Sequence, residues 1–340
     1  MILSIKKNCL YTGRAATAIY LVLRERIGAG SGVLFPVNIC YAAVFPALYA
    51  GCRPVFCDVD PLSGNIDPDA FRKKLPDVQA AVIPHMYGNP VSDIGKIAEE
   101  CAKQGVVLIE DCASAMGAVA DGKPCGSYGD YAVFSTGYAK TIDIGGGGIL
   151  LSDHSLDGIR ALYGELPEIT QQDEENEAFL SKLYRLIRNN PAQSLEHGIW
   201  KGMAEELRPV FLHRDPEREE KIGEALEKLP AIVKERREGA ETYARLLADV
   251  SPVRPYTWNE GAVPWRFNLF VKKEIRKDLI AYLLAHEVPV SDWYPSVAPA
   301  FETGTHYENA ERMGEEILNF PLPMPQEEIE KICRILKEYR

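Results

Sequence analysis

Between residues 10 and 152, stretches with helical periodicity alternate with short apolar runs of strand length, and this alternation limits the fold more than any other feature. AATAIYLVLRERIGAG reads as a helix and VLFP as a short buried strand, while ICYAAVFPALYAG reads as helical despite Pro46 and RPVFCDVD as a strand. Asp67 and Pro68 supply an N-cap and a first-turn proline, opening a helix over DPDAFRKKL. QAAVIP is again a strand. DIGKIAEECAKQG then puts Ile94, Ile97, Ala98 and Cys101 on one helical face and stops at Gly105. VVLIED, YAVFS and GGILLSD complete the set. Strands separated by helices predict an α/β fold with a mostly parallel central sheet sandwiched by helices. Ligands of such sheets bind beyond the carboxyl ends of the strands, where Asp111 and Ser135 fall.

After residue 152 the character changes. Three parts are expected: a large domain over 1–155, a bridging helical segment over 156–250, and a smaller C-terminal α/β domain over 251–340. The charge-rich KERRE run in the middle part reads as a solvated helix face, because acids interrupt the bases. In the last part FNLFV and VPVSDW read as strands, and KDLIAYLLAHE and QEEIEKICRILKEY as helices.

Composition excludes several functions. A formal net charge of −11 disfavours nucleic acid or an anionic membrane surface as the main partner. No run approaches the about 20 apolar residues of a membrane helix, and MILSIKKNCLYTGR lacks the order of a secretory signal. The eight cysteines include no CxxC pair, which points to free thiols in a reducing cytoplasm, and the six histidines have no metal-ligand spacing. No metal is expected.

The glycine runs GAGSG (28–32) and GGGG (145–148) are each followed by strand-like sequence, whereas a dinucleotide loop needs strand, glycine turn and then helix. The second run instead lets backbone pass close to a bulky group or forms a tight hairpin. Near it, Lys140 has no acidic residue among its nearest neighbours in sequence. A lone lysine is usually solvated, and an acid at a strand end is often a loop residue. Together, though, Lys140, Asp111 and Ser135 match what pyridoxal phosphate requires: an amine for the aldehyde, a carboxylate for the pyridine nitrogen, and hydroxyls with helix-start amides for the phosphate. TGRAAT (12–17) opens a helix whose first N–H groups could serve that last role.

In order along the chain, TGRAAT, FPVNICYAAVFPALYAGCRPVFCDVD, IPHMYGNPVSDI, LIEDCASAMGA and GSYGDYAVFSTGYAKTIDIGGGG resemble the DegT/DnrJ/EryC1/StrS family of sugar aminotransferases. The resemblance resumes over 267–338, in FNLFV, VPVSDWYPSVAPAF and EEILNFPLPMPQEEIEKI. It implies the type I fold of pyridoxal-phosphate-dependent transferases, with Lys140 as the Schiff-base lysine and proton shuttle. Asp111 would pair with the pyridine nitrogen, and Ser135 with the amides of Arg14 and Ala15 would hold the phosphate. The Arg14 side chain would add a charge-assisted bond there. Ser114 stands where the family has a glutamine for the cofactor's phenolic oxygen, and Met116 where it has a histidine. Cys40 stands at the position of the stacking aromatic, with Tyr41 one place off. His85 and Tyr87 either border the cofactor or are a satisfied loop histidine and a packed tyrosine. The family's Gly-x-Asn-x-Arg segment is not recognisable, and 153–222 matches nothing in it.

The resemblance implies transfer of an amino group, from glutamate, to a keto group of a nucleotide-linked sugar, by a cytoplasmic homodimer whose other partners are small molecules. The alternatives are a pyridoxal-phosphate enzyme acting on another ketone such as a cyclitol, one catalysing elimination, or a catalytically silent scaffold.

Overall fold

The computed structural model describes residues 2–188, 204–251, 253–302 and 304–339. In chain order, its first half contains β1 (Asn8–Thr12), helix α1 (Ala15–Arg26), β2 (Gly32–Pro36), α2 (Tyr41–Tyr49), β3 (Arg53–Cys57), α3 (Pro68–Lys74), β4 (Ala80–Pro84), α4 (Ile94–Gln104) and β5 (Val107–Asp111). A small hairpin of β6 (Val119–Ala120) and β7 (Lys123–Pro124) precedes β8 (Tyr131–Ser135) and β9 (Gly148–Ser152). The local signals hold where they can be checked. Asp67 caps α3 by accepting from Ala70 N at 2.7 Å, and Gly105 ends α4 with φ +67°.

Seven strands form one sheet in the order β1-β9-β8-β5-β4-β2-β3. Pairings from β3 through β8 are parallel, whereas β8–β9 and β9–β1 are antiparallel. Every residue of β2, β4, β8 and β9 is buried, as expected of strands covered on both faces. Successive side chains alternate between two cores. Phe35, Val82, Ile109, Val133 and Leu150 enter one, while Leu34, Ile83, Leu108, Phe134 and Ile149 enter the other. β1 was not expected from sequence; NCLYT is too polar to announce itself and becomes a strand through its pairing with β9.

The C-terminal part has its own sheet of β10 (Arg254–Pro255), β11 (Phe267–Phe270) and β12 (Ile317–Phe320), in that order. The helices Lys273–Ala285 and Gln326–Glu338 pack on it. Helix Leu229–Leu247 joins the two parts: Leu229, Ile232 and Val233 pack against a core of the large sheet, and Ala240, Tyr243 and Leu247 enter the small one. Tyr243 stacks on Phe267 at 4.8 Å.

Two expectations need correcting. VPVSDW is not a strand: Pro289 has no N–H to donate, Val288 N goes back to Leu283 O at 2.9 Å, and only Ser291 bridges to Asn319 of β12. Nor is KERRE wholly solvated. Arg236 is buried, because its guanidinium finds three backbone carbonyls, those of Pro264, Trp265 and Lys140. Among the described residues no helix is long and apolar enough to cross a membrane.

Candidate active site

β5 ends in two acids whose side chains, as neighbours on a strand, face opposite ways. Glu110 turns inward. Its carboxylate accepts from the amides of Gly126 (2.8 Å), Tyr128 (2.6 Å) and Gly129 (2.5 Å) and lies 3.1 Å from His85 Nε2. Burial works against its charge, but His85 and the amides outweigh it and hold the Glu110 pKa below the usual value. His85 Nδ1 accepts from Val91 N at 3.0 Å, so the ring proton sits on Nε2 and goes to Glu110. Potential ligand atoms of His85, Glu110 and Cys112 lie within 4.8 Å of one another. Both ring nitrogens and both carboxylate oxygens are nevertheless committed to hydrogen bonds, so the cluster ties strand ends together. This corrects the expected cofactor contact of His85: its ring is a satisfied core histidine behind Asp111.

Asp111 turns towards the cleft. It is buried, and its Oδ1 accepts from Ala113 N at 2.9 Å. The other oxygen has no hydrogen-bond partner among the described residues. Burial pushes its pKa up, against the opposing pull of the Ala113 amide, Lys140 and His85. Such a carboxylate calls for a cationic N–H donor.

Lys140 lies in the loop between β8 and β9, and several groups aim it. Ala139 is held in the left-handed region at φ +59°, its amide donating to Asp143 Oδ2 (2.7 Å) and its carbonyl accepting from Trp265 Nε1 (2.6 Å). Arg236 Nη2 donates to the Lys140 carbonyl at 3.2 Å. The Lys140 amine donates to Ser114 Oγ at 3.1 Å. Burial lowers its pKa and the Arg266 charge adds to this, while Cys40 and Asp111 oppose it. The amine and the Asp111 carboxylate thus lie each within the other's field.

At the other end of the cleft, Ser135 is buried where β8 ends, and its Oγ accepts from Gly137 N at 3.2 Å. Gly148 pairs with both Ser135 and Thr12. A Cβ on it would stand 2.5 Å from Ala15 N and from Arg14 C, so glycine alone lets the start of α1 settle against the sheet. α1 begins at Ala15 with Arg14 as an N-cap that makes no side-chain cap bond, which leaves first-turn amides to bind an anion. The Arg14 guanidinium is engaged elsewhere, with Glu177 and with Val210 O at 2.8 Å. The expected side-chain bond from Arg14 to phosphate is corrected accordingly: helix Gln171–Arg188 supplies its counter-ion.

Cys40 precedes α2 and lies within the fields of Lys140, Asp111 and Arg14. Tyr41 turns its ring edge-on to Phe45 (6.3 Å) and Phe211 (6.2 Å). A second aromatic group joins the C-terminal part to Tyr87. Trp265 stacks on Tyr294 at 5.5 Å, and Tyr87 lies 5.9 Å from Tyr294 and bonds its amide at 3.0 Å. Sequence reading missed Trp265, Arg266, Arg236 and Tyr294. The one local signal was the arginine flanked by aromatic residues in PWRF, directly before a buried strand.

A buried acid lacking one partner, an amine of lowered pKa and an uncapped helix start beside a serine fit pyridoxal phosphate. The model of the DegT/DnrJ/EryC1/StrS aminotransferase family matches residues 3–162 and 222–337, leaving out most of the stretch that sequence reading could not place. The chain is 28% identical over 325 residues to dTDP-4-dehydro-2,3,6-trideoxy-D-glucose 4-aminotransferase of Saccharopolyspora spinosa, spanning 93% of this chain and 80% of that protein. Among solved structures it is similar to DesI in the presence of its TDP-sugar product (TM-score 0.78, 21% identity, 98% of this chain and 81% of that one). It is also similar to E. coli GDP-4-keto-6-deoxy-D-mannose-3-dehydratase with bound hydrated PLP (TM-score 0.75, 19% identity, 98% and 88%). With the family match running through both the cleft-forming strands and the small sheet, the chain belongs to the DegT/DnrJ/EryC1/StrS aminotransferase family and is a pyridoxal-phosphate-dependent aminotransferase.

Proposed function

We propose that the enzyme moves an amino group from glutamate to a keto group of a nucleotide-linked sugar. The observation that carries this reading is the Lys140 amine, bonded to Ser114 at 3.1 Å in the turn after Asp111, with amine and Asp111 carboxylate each within the other's field. The amination of a dTDP-linked sugar named for the Saccharopolyspora relative supports the substrate class. A homodimer and a cytoplasmic location accompany it, as the family resemblance implies.

Bound pyridoxal phosphate supplies an aldehyde for an amine and a ring that accepts electrons from the reacting carbon. The chain's own groups do the rest. Asp111 would hold the ring nitrogen in its protonated form. Ser135 and the amides of Arg14 and Ala15 would hold the phosphate. The Lys140 amine would hold and move a proton at the reacting carbon as general base and acid. Ser114, 3.1 Å from Nζ, is an acceptor that holds the amine on station.

The purified protein should be yellow with cofactor and lose that colour on addition of glutamate. Lys140→Ala should abolish the imine absorbance with an unchanged far-ultraviolet circular dichroism spectrum, and full turnover in that variant would end the reading. Bleaching by glutamate without amine transfer to any keto-sugar nucleotide would favour a cyclitol or another ketone as acceptor.

A further inference from the structure

Arg266 immediately precedes β11 and sits half-buried at the same cleft, where its charge reaches the Lys140 amine. Its guanidinium lies over the Trp265 ring at 4.8 Å, and the Tyr294 and Tyr138 hydroxyls lie in its field. Among the described residues it has neither a carboxylate partner nor a hydrogen-bond acceptor. The contrast with the other cleft arginines is plain: Arg14 is paired with Glu177, and Arg236 is taken up by three carbonyls. A cation–π contact offsets only part of what desolvating an ion costs. Burial draws the Arg266 pKa down, and burial together with the Arg266 charge lowers that of Arg236. The Trp265 indole under this guanidinium donates to Ala139 O at 2.6 Å, which sets Arg266 beside the Lys140 loop with no anion among the described residues to receive it.

Resting on the aminotransferase reading above, we propose that Arg266 binds the α-carboxylate of the amino-acid donor and so sets donor specificity. Bond count selects this anion over the sugar nucleotide's diphosphate. The α-carboxylate is attached directly to the carbon whose proton Lys140 moves, so it must lie beside the Lys140 amine, whereas a diphosphate on the anomeric oxygen is several bonds from the keto carbon. The planar guanidinium suits a carboxylate in two-pronged fashion, which an ammonium group cannot reproduce.

The test uses cofactor-loaded wild type, Arg266→Gln and Arg266→Lys, titrated with L-glutamate, with L-glutamine, and with 2-methylglutamate, which has the same carboxylates but no α-hydrogen. The cofactor absorbance gives binding of each, and steady-state assays give KM for donor and for keto-sugar nucleotide. Arg266→Gln should remain yellow and bind all three amino acids roughly 10- to 100-fold more weakly, the usual range for losing a charged hydrogen-bond partner. KM for the sugar nucleotide should change less than about twofold, and Arg266→Lys should recover part of the loss. Unchanged amino-acid affinity overturns the proposal. So does a rise confined to the sugar nucleotide, which would assign Arg266 to the diphosphate, and so does a colourless Arg266→Gln, which would assign it to the cofactor. A wild-type protein that takes up no cofactor would instead sink the aminotransferase reading itself.

Discussion

The Lys140 amine donates to Ser114 Oγ at 3.1 Å, joining the loop after β8 to the turn after β5. Sequence resemblance had given Ser114 to the cofactor's phenolic oxygen; the structure adds that the same hydroxyl fixes the amine. Asp111 is only three residues away in the chain, so carboxylate and amine are set by one short turn.

The lowered pKa of Lys140 makes a larger share of its amine neutral near pH 7 than that of an ordinary lysine. Lys96 is its opposite: its pKa is raised, by Asp93, and it is exposed. In cofactor-stripped protein, a small aldehyde with cyanoborohydride should label Lys140 before Lys96 at neutral pH, as read by peptide mass spectrometry. The advantage should shrink as pH rises above the usual lysine value, where every amine is neutral. Equal labelling at pH 7 would contradict the lowered pKa.

Glu110 should matter for stability rather than chemistry. Removing it strands the His85 ring and three amides in the core, so Glu110→Ala should destabilise by about 3–5 kcal/mol in urea unfolding. Its carboxyl has a lower pKa folded than unfolded. The stability this contributes is therefore present above the ordinary carboxylate pKa and is lost as pH falls through the folded value. Glu110→Gln should accordingly flatten the acid limb of the stability–pH curve relative to wild type, and an unchanged acid limb would refute the assignment.

Gly148 is where the sheet and the start of α1 touch. With backbone atoms only 2.5 Å from the added Cβ, Gly148→Ala forces α1 to shift, at about 1–3 kcal/mol for overpacking. Because the shift moves the first-turn amides, the apparent Kd for pyridoxal phosphate should rise, measured by absorbance on reconstitution. Gly164→Ala, with open space around its Cβ, serves as the control and should leave both quantities unchanged.

Most of the architecture was legible locally. The caps at Asp67 and Gly105, the apolar strand runs, Asp111 at a strand end and Lys140 in the loop after a strand are features of a few consecutive residues. What escaped depended on distant partners. β1 exists because β9 pairs with it, and Arg236 is buried because carbonyls from two other segments meet its guanidinium. Glu110 and Asp111 are adjacent acids with no local difference; strand geometry and the amides of 126–129 separate their roles.

The order of strands and helices and the family resemblance were therefore written in the chain itself, since periodicity, capping and motif order are short-range properties. The company that the Lys140 amine keeps was decided only by folding. Ser114 comes from the turn after β5, while Trp265, Arg266 and Tyr294 come from the C-terminal part, where the Trp265 indole bonds the Ala139 carbonyl; the strength of an ionic interaction depends on distance and burial, which no run of consecutive residues specifies.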